Sequence, residues 1–507
     1  MAIISSVISW LIKKRIHQIE LFKKYPVEVQ EELISKLIGM AEDTEWGKKY
    51  HYAKFSTVDD YREAVPLSYY EDIEPYIQRL RQGEHALLWP EEIKWFAKSS
   101  GTTSSKSKFI PISPSALEDC HYKAGKDLIS IYFNLYPESK LFEGKSLIMG
   151  GSRQIHEISN RSFYEGDLSA ILMQNLPFWA ELMRTPSLKV ALMEEWEEKL
   201  ELMVEETVNH DVRSISGVPS WMLVLLKRVL EKTKRNNILE VWPNLEVFFH
   251  GGVSFEPYRK QYHQLIPSDQ MVYLETYNAS EGFFGIQDQK ESDELLLMLD
   301  YGIFYEFIPF DQLSEDQPKT LLLQDVEVGK NYALVITTNA GLWRYVIGDT
   351  VTFTSVFPFR IKITGRTKLF INIVGEEVII ENAEKAFAMA SEKSGAVIGE
   401  FTGAPRFKND KGENETSHEW LIEFEKEPED FEKFKEFFDR YLQSVNSDYE
   451  AKRYNDMVLK PPVIRKVPKG TFYQWMKKRN KLGGQNKVPR MANDRKYIDD
   501  ILEMLNR

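Results

Sequence analysis

The 507-residue chain has one cysteine, Cys120. That excludes a disulfide framework within the chain, a multi-cysteine zinc site and an iron–sulfur cluster, and it suits a reducing compartment. Cys120 itself reads as a small buried hydrophobe, with a catalytic thiol as the sharper alternative. Long apolar runs are also missing. The stretch from Ala2 to Ile12, followed by Lys13, Lys14 and Arg15, falls far short of the ~20 residues that span a bilayer. Its charges follow the apolar part, the reverse of a signal peptide. It reads as an amphipathic opening helix docked on the body, or as a peripheral membrane contact. No transmembrane segment is expected, and the chain is read as cytoplasmic. No HExxH, GxGxxG or Walker A spacing occurs, which removes the common metalloprotease, dinucleotide and P-loop readings. His250-Gly251-Gly252 looks like an esterase oxyanion loop, but without a GxSxG elbow that reading fails.

What is present is a globular composition: 43% hydrophobic, 13% aromatic and 28% charged residues. The length supports several cores. The 65 basic and 77 acidic side chains give a formal charge of −12, which argues against a general nucleic-acid binder. The charge is uneven. Ala451 to Arg490 carries twelve Lys and Arg against one acid, Asp456, a formal +11 that leaves −23 on the remainder. This basic island reads as part of an anion site, or as solvated surface.

Apolar positions at helical spacing recur through Leu188, Leu192, Trp196, Leu200 and Met203. Pro219 stands at a first helical position ahead of Trp221, Leu225 and Leu226. Strands are expected at Leu245–His250, Met271–Leu274 and Ala333–Ile336, with short β-rich pieces from Leu342 to Ile363. Alternation of this kind favours an α/β architecture. After Gly365 the texture changes. A helix over Glu377–Ser391, a hairpin pairing Ala396–Phe401 with Glu419–Phe424, and a helix striped by Phe431, Phe434, Phe438, Tyr441 and Leu442 predict a smaller C-terminal α+β domain.

Five short motifs carry possible chemistry. Ser99-Ser100-Gly101-Thr102-Thr103, followed by Lys106 and Lys108, combines small residues, hydroxyls and positive charge, which suits a phosphate cradle or a polar surface loop. Tyr277-Asn278-Ala279-Ser280-Glu281-Gly282 follows a predicted strand. There Glu281 is placed to hold Mg²⁺ through one oxygen, or is a solvated acid. In Leu342-Trp343-Arg344-Tyr345-Val346-Ile347-Gly348-Asp349 the carboxylate after glycine can accept bonds from vicinal hydroxyls, or is a turn aspartate. Thr364-Gly365-Arg366-Thr367-Lys368 marks the change of texture, or is just a turn. Gly483-Gly484-Gln485-Asn486-Lys487-Val488-Pro489-Arg490 is a flexible glycine-led loop with a lysine inside the basic island, or a stretch carrying a solvated surface lysine.

In this order and spacing the motifs resemble the adenylate-forming, luciferase-like enzymes, and more closely the auxin-responsive Gretchen-Hagen family of acyl acid amido synthetases. The resemblance runs from about Ile16 to Arg490. It implies an α/β protein with a large N-terminal adenylation domain, 1–366, of sheets flanked by helices plus a small β-barrel. A smaller mobile C-terminal α+β domain, 367–507, follows. It implies ATP and Mg²⁺, a small carboxylic acid and an amine, in particular an amino acid, as partners, and no nucleic acid. It assigns Ser99, Ser100, Gly101, Thr102 and Thr103 to ATP phosphates, Gly252 and Val253 to the adenine slot, and Tyr277 to the adenine face. Ser280 goes to the α-phosphate, Glu281 to Mg²⁺ and catalysis, Asp349 to the ribose with Arg366 close by, Lys368 to the hinge and Lys487 to catalysis at the α-phosphate. Trp343 and Val346 depart from the family pattern, where Tyr and Arg are usual, and Ser104-Ser105 stand where relatives often carry Gly.

The implied reaction activates a carboxylic acid as its acyl adenylate and transfers the acyl group to an amine. His250 is a candidate for the base of the second step, or a structural histidine at a strand end, which is the preferred reading. Two other readings stand beside it: transfer to coenzyme A or a carrier thiol, and a non-enzymatic module that binds an acidic partner through the basic island.

Overall fold

The computed structural model describes residues 14–99, 108–151, 153–158, 161–176, 178–252, 255–313, 315, 317–367, 370–371, 373–374, 376, 378–408, 414–453, 459–482 and 487–505. The expected opening helix over Ala2–Ile12 lies outside these residues, whereas residues 14–24 are helical. The chain forms two compact units. One comprises Met1–Val253 and Ser268–Ile363, the other Ser254–Pro267 and Thr364–Arg507.

The first unit contains two sheets. The smaller has four strands, among them β1 (Trp95–Ser99) and β2 (Lys108–Ile112), which pair antiparallel with Ser99 opposite Lys108. The larger has eleven strands. Its parallel half runs from the short strand Arg184–Thr185 through β3 (Lys145–Ile148), β4 (Val212–Gly217) and β5 (Val247–Gly251) to β6 (Val272–Ala279). Every residue of β5 is buried, which is why it reads as an unbroken apolar run rather than an alternation. Between β4 and β5 lies α1 (Pro219–Thr233), with its proline at the first turn. The antiparallel half continues from β7 (Gly282–Ile286) and ends near β8 (Asn331–Thr338) and β9 (Tyr345–Val356). The helical stripe expected from Leu188 to Met203 is broken into Leu188–Ala191 and Trp196–Thr207. The Glu195 side chain accepts the Glu198 N–H at 2.9 Å and caps the second helix afresh.

One buried charge ties the antiparallel half to the N-terminal helices. Arg344 adopts a left-handed φ of 44°. Its guanidinium donates to both Glu306 oxygens at 3.0 and 2.8 Å, to the carbonyls of Arg62 and Val65 at 2.6 Å each, and to the Thr320 hydroxyl at 3.0 Å. Next to it Trp343 is fully buried, and its indole N–H donates to the Leu88 carbonyl at 2.9 Å. Val346 fills a small apolar cluster with Ile308, Ala333 and Val335. Both departures from the family pattern are therefore core positions here.

The second unit is built on a three-stranded sheet of β10 (Val397–Lys408), β11 (Asn414–Lys426) and β12 (Val463–Val467). α3 (Ile380–Ser394) and α4 (Phe431–Val445) belong to the same unit, and their Phe387, Phe434 and Phe438 share a core with Phe401 and Trp420. The first segment of the unit carries α2 (Glu256–Leu265), so the unit is not the contiguous stretch 367–507. Its Tyr258 and Tyr262 are almost completely buried, and Gln261 donates to the Ile398 carbonyl at 3.3 Å.

The basic island is partly dissolved by pairing. β12 lies parallel to β11, with Val463 opposite Glu419 and Val467 opposite Glu423. That register sets a basic strand beside an acidic one. Arg465 meets Glu419, Lys466 meets Glu427, and Lys469 meets Glu425. Elsewhere Arg453 meets Asp439, Arg479 meets Asp500 and Arg490 meets Glu384. Six of the twelve cations thus have carboxylate partners that the sequence count placed outside the island.

Arg344→Ala leaves Glu306, 1% exposed, buried without its main partner. The expected loss is about 3–5 kcal/mol, measured by urea unfolding of the full chain followed through tryptophan fluorescence. A loss below about 1 kcal/mol would show that Arg344 is not the anchor described.

Candidate active site

In an open α/β sheet ligands collect beyond the carboxyl ends of the parallel strands. In the first unit those ends include Gly217, Gly251 and Ala279. Gly251 lies opposite Thr276 on β6. A Cβ on Gly251 would stand 2.4 Å from the Thr276 carbonyl oxygen, so only glycine permits this approach. The Thr276 hydroxyl in turn donates to the His250 carbonyl at 3.1 Å. Gly252 turns the chain away with φ of 82°, a conformation that favours glycine. Val253 lies outside the described residues.

β6 runs further than expected, to Ala279, and pairs there with Gly282. Tyr277 is therefore within the strand, and Ser280 and Glu281 form the two-residue turn of a hairpin. Ser280 is buried and Glu281 half-buried. Gly282 is crowded by Ile303, whose Cδ1 would sit 2.5 Å from an added Cβ.

Asp349 reaches the same place from another strand. Between Ala333 and Val335 on β8 the opposing β9 advances from Thr350 to Val346. The surplus is a bulge at Gly348, with φ of 91°. A bulge re-aims a side chain, and here it aims Asp349. The Tyr277 hydroxyl donates to Asp349 Oδ2 at 2.8 Å. β6 and β9 are separated by three other strands in the sheet, so this bond shows that the antiparallel half curls back on itself. Tyr277 is also packed against Phe284, with ring centroids 4.8 Å apart.

The structure thus brings together Gly252, Tyr277, Ser280, Glu281 and Asp349 around the ends of β5 and β6 and the β9 bulge. Ser99 closes β1 in the other sheet of the same unit. Ser100, Gly101, Thr102 and Thr103, with Lys106 and Lys368, lie outside the described residues. Arg366 ends the strand Phe359–Arg366 and, like Lys487, belongs to the second unit. His250 is buried, with its ring 5.3 Å from that of Phe248. Sequence reading missed Thr276; the signal available for it was the Gly-Gly pair, which implies a close neighbour.

A lone carboxylate at the turn fits Mg²⁺, which commonly takes one or two protein carboxylates and completes its shell with water and phosphate oxygens. Among the described residues no cluster of three metal-ligating side chains occurs. No helix among them is long and apolar enough to cross a membrane.

Comparison with known proteins bears on the family and the fold. The chain matches the GH3 family N-terminal domain over residues 15–271, the GH3 family central domain over 296–366 and the GH3 family C-terminal domain over 381–496. It is 24% identical to indole-3-acetic acid-amido synthetase GH3.3 of Arabidopsis thaliana, covering 94% of this chain and 91% of the relative. It is likewise 24% identical to jasmonoyl–L-amino acid synthetase GH3.5 of Oryza sativa subsp. japonica, covering 98% and 97%. In fold it is similar to the structure of AtGH3.15 acyl acid amido synthetase in complex with 2,4-DB, with a TM-score of 0.79, 18% identity, and 97% and 96% of the two chains covered.

Cys120 lies beneath the hairpin, where the Phe283 N–H donates to its sulfur at 3.3 Å. Burial pushes its thiol up to about 12. The thiolate is the reactive form, and Cys120 is buried, so it fits the small buried hydrophobe better than a catalytic thiol. At about pH 8 the folded chain is expected to resist iodoacetamide, while the urea-unfolded chain takes up one equivalent. Labelling of the folded chain at the unfolded rate would show that the thiol is within reach.

Proposed function

The chain belongs to the GH3 family, and from that premise we propose that it activates a small carboxylic acid with ATP as an acyl adenylate, then transfers the acyl group to the amine of an amino acid. The observation that carries the reading is the Tyr277–Asp349 hydrogen bond. It joins two motifs 72 residues apart at the strand ends where a nucleotide belongs. An ionised carboxylate has about four acceptor sites. Tyr277 takes one of them at Asp349, and this oriented carboxylate is the group that receives two vicinal ribose hydroxyls.

In the first step a carboxylate oxygen attacks the α-phosphorus, and the bond to the bridging oxygen breaks with release of pyrophosphate. In the second the amine nitrogen attacks the acyl carbon, the bond to AMP oxygen breaks and the nitrogen loses a proton. The first step brings anions together, so it depends on positioning and charge stabilisation. Ser99, Ser100, Gly101, Thr102 and Thr103 hold phosphates; Gly252 and Val253 border the adenine. Tyr277 orients Asp349 while its ring offers a surface to the base. Ser280 contacts the α-phosphate, and Arg366 lies by the ribose. Glu281 would hold Mg²⁺, which when bound offsets phosphate charge. Lys487 reaches the α-phosphate, and Lys368 is the hinge of a mobile C-terminal domain. The chain acts in the cytoplasm without nucleic acid.

The test is pyrophosphate release over a panel of carboxylic acids with MgATP, followed by amino acids or coenzyme A supplied separately. An amide product with an amino acid supports the reading, and a thioester with coenzyme A replaces it. Glu281→Ala is expected to lower release by about 10²-fold or more, the scale of losing one charge-stabilising group; unchanged release would end its metal assignment. Tyr277→Phe keeps the ring and removes the bond to Asp349. KM for ATP should rise about tenfold, the worth of a hydrogen bond to a charged group, and an unaltered KM would refute the orienting role.

A further inference from the structure

The segment that carries Lys487 has no regular secondary structure, yet it is fastened at close intervals. The Thr402 hydroxyl donates to the Pro489 carbonyl at 2.6 Å. The Gly403 N–H donates to the Arg490 carbonyl at 2.9 Å, and the Ala492 N–H returns to the Gly403 carbonyl at 3.0 Å. The side chain of Arg490 supplies the fastening that backbone bonds do not. Its guanidinium, 8% exposed, enters a buried cage. It donates to Glu384 Oε1 at 2.8 Å and to the Tyr258 hydroxyl oxygen at 2.6 Å, and stands 3.5 Å from Glu400 Oε1. Tyr258 in turn donates to Glu400 Oε2 at 3.3 Å. The Phe401 ring covers the cation, with 4.9 Å between the guanidinium carbon and the ring centre.

These contacts come from three separate parts of the chain: α2, α3 with β10, and the lysine segment. The planar fork of arginine can serve several acceptors at fixed angles, which an ammonium cannot. Helix α2 follows Gly252 closely in the sequence, at the end of the strand assigned to the adenine. We propose that Arg490 is a positioning residue for Lys487: the cage of Tyr258, Glu384 and Glu400 fixes the segment on which that lysine stands. This rests on the reading above that Lys487 acts in adenylate formation.

The test uses the full chain and two independent readouts. Hydrogen exchange at the amides of Gly403 and Ala492 needs no substrate and reports local opening. Arg490→Gln is expected to speed it about tenfold, and Arg490→Lys and Tyr258→Phe by a smaller factor, while exchange in the first unit stays constant. Steady-state pyrophosphate release then uses the best acid of the panel. Arg490→Gln should lower kcat with KM for ATP little changed, and Arg490→Lys should restore only part of it. The double variant Lys487→Ala/Arg490→Gln should be no slower than Lys487→Ala, because a group acting through the lysine has nothing to add once it is gone. Unchanged exchange, or multiplying losses in the double variant, overturns the proposal. If Lys487→Ala alone retains normal kcat, the reading of that lysine has failed. Faster exchange in Arg490→Gln would then identify the cage as an anchor that positions no catalytic group, which overturns the proposal too. Tyr258→Phe keeps the comparison open should Arg490→Gln fail to fold.

Discussion

The first unit depends on one buried cation being fully served. Arg344 spends its donors on Glu306, two backbone carbonyls and a hydroxyl. A buried charge is tolerated only when its partners are complete, so these groups constrain one another. The carbonyls belong to the N-terminal helical region, Glu306 to a strand of the antiparallel half, and Thr320 to the connection that follows that strand. Arg344 immediately precedes β9, which bulges at Gly348 and presents Asp349 five residues on from Arg344. The direction of that carboxylate is thus inherited from the way the strand is rooted. The motif that looked like a ribose-binding turn is a root and a bulge in a single stretch of sequence.

Much of this was legible because it is local. Glycines demanded by close approach, the proline at the start of α1, and the phenylalanine stripe of α4 each follow from short-range rules. The large sheet was legible in both halves where strands form short apolar runs, as at β5 and at Ala333–Ile336, and the family resemblance supplied the rest of the architecture. What was not legible is long-range. Nothing in Leu188–Met203 shows that Glu195 restarts the helix rather than continuing it. Nothing near Asp349 says that Tyr277 is its hydrogen-bond donor, because that contact exists only once the sheet curls.

Charge shows the same limit most plainly. Counting along the chain isolates Ala451–Arg490 as strongly basic. Folding places β12 against β11, and the carboxylates of Glu419, Glu425 and Glu427 pair with Arg465, Lys469 and Lys466. Charge segregated in sequence is mixed in space, since neighbouring strands are remote in the chain. Arg490 is paired as well, with Glu384. The departures at Trp343 and Val346 have a similar explanation: both are packed into apolar surroundings that a motif comparison does not see.

The second unit is discontinuous, and this bears on how such a protein can be inherited and rebuilt. A fragment starting at Thr364 carries Arg490, Glu384 and Glu400 but leaves Tyr258 behind, 232 residues before its partner Arg490. Two acids and one arginine would then share a cavity shaped for a fourth member. The unit is therefore no cassette. Recombination among relatives at a single crossover separates α2 from the wall it completes. Substitutions at position 258 and at position 490 are bound to be judged together, however far apart the gene places them.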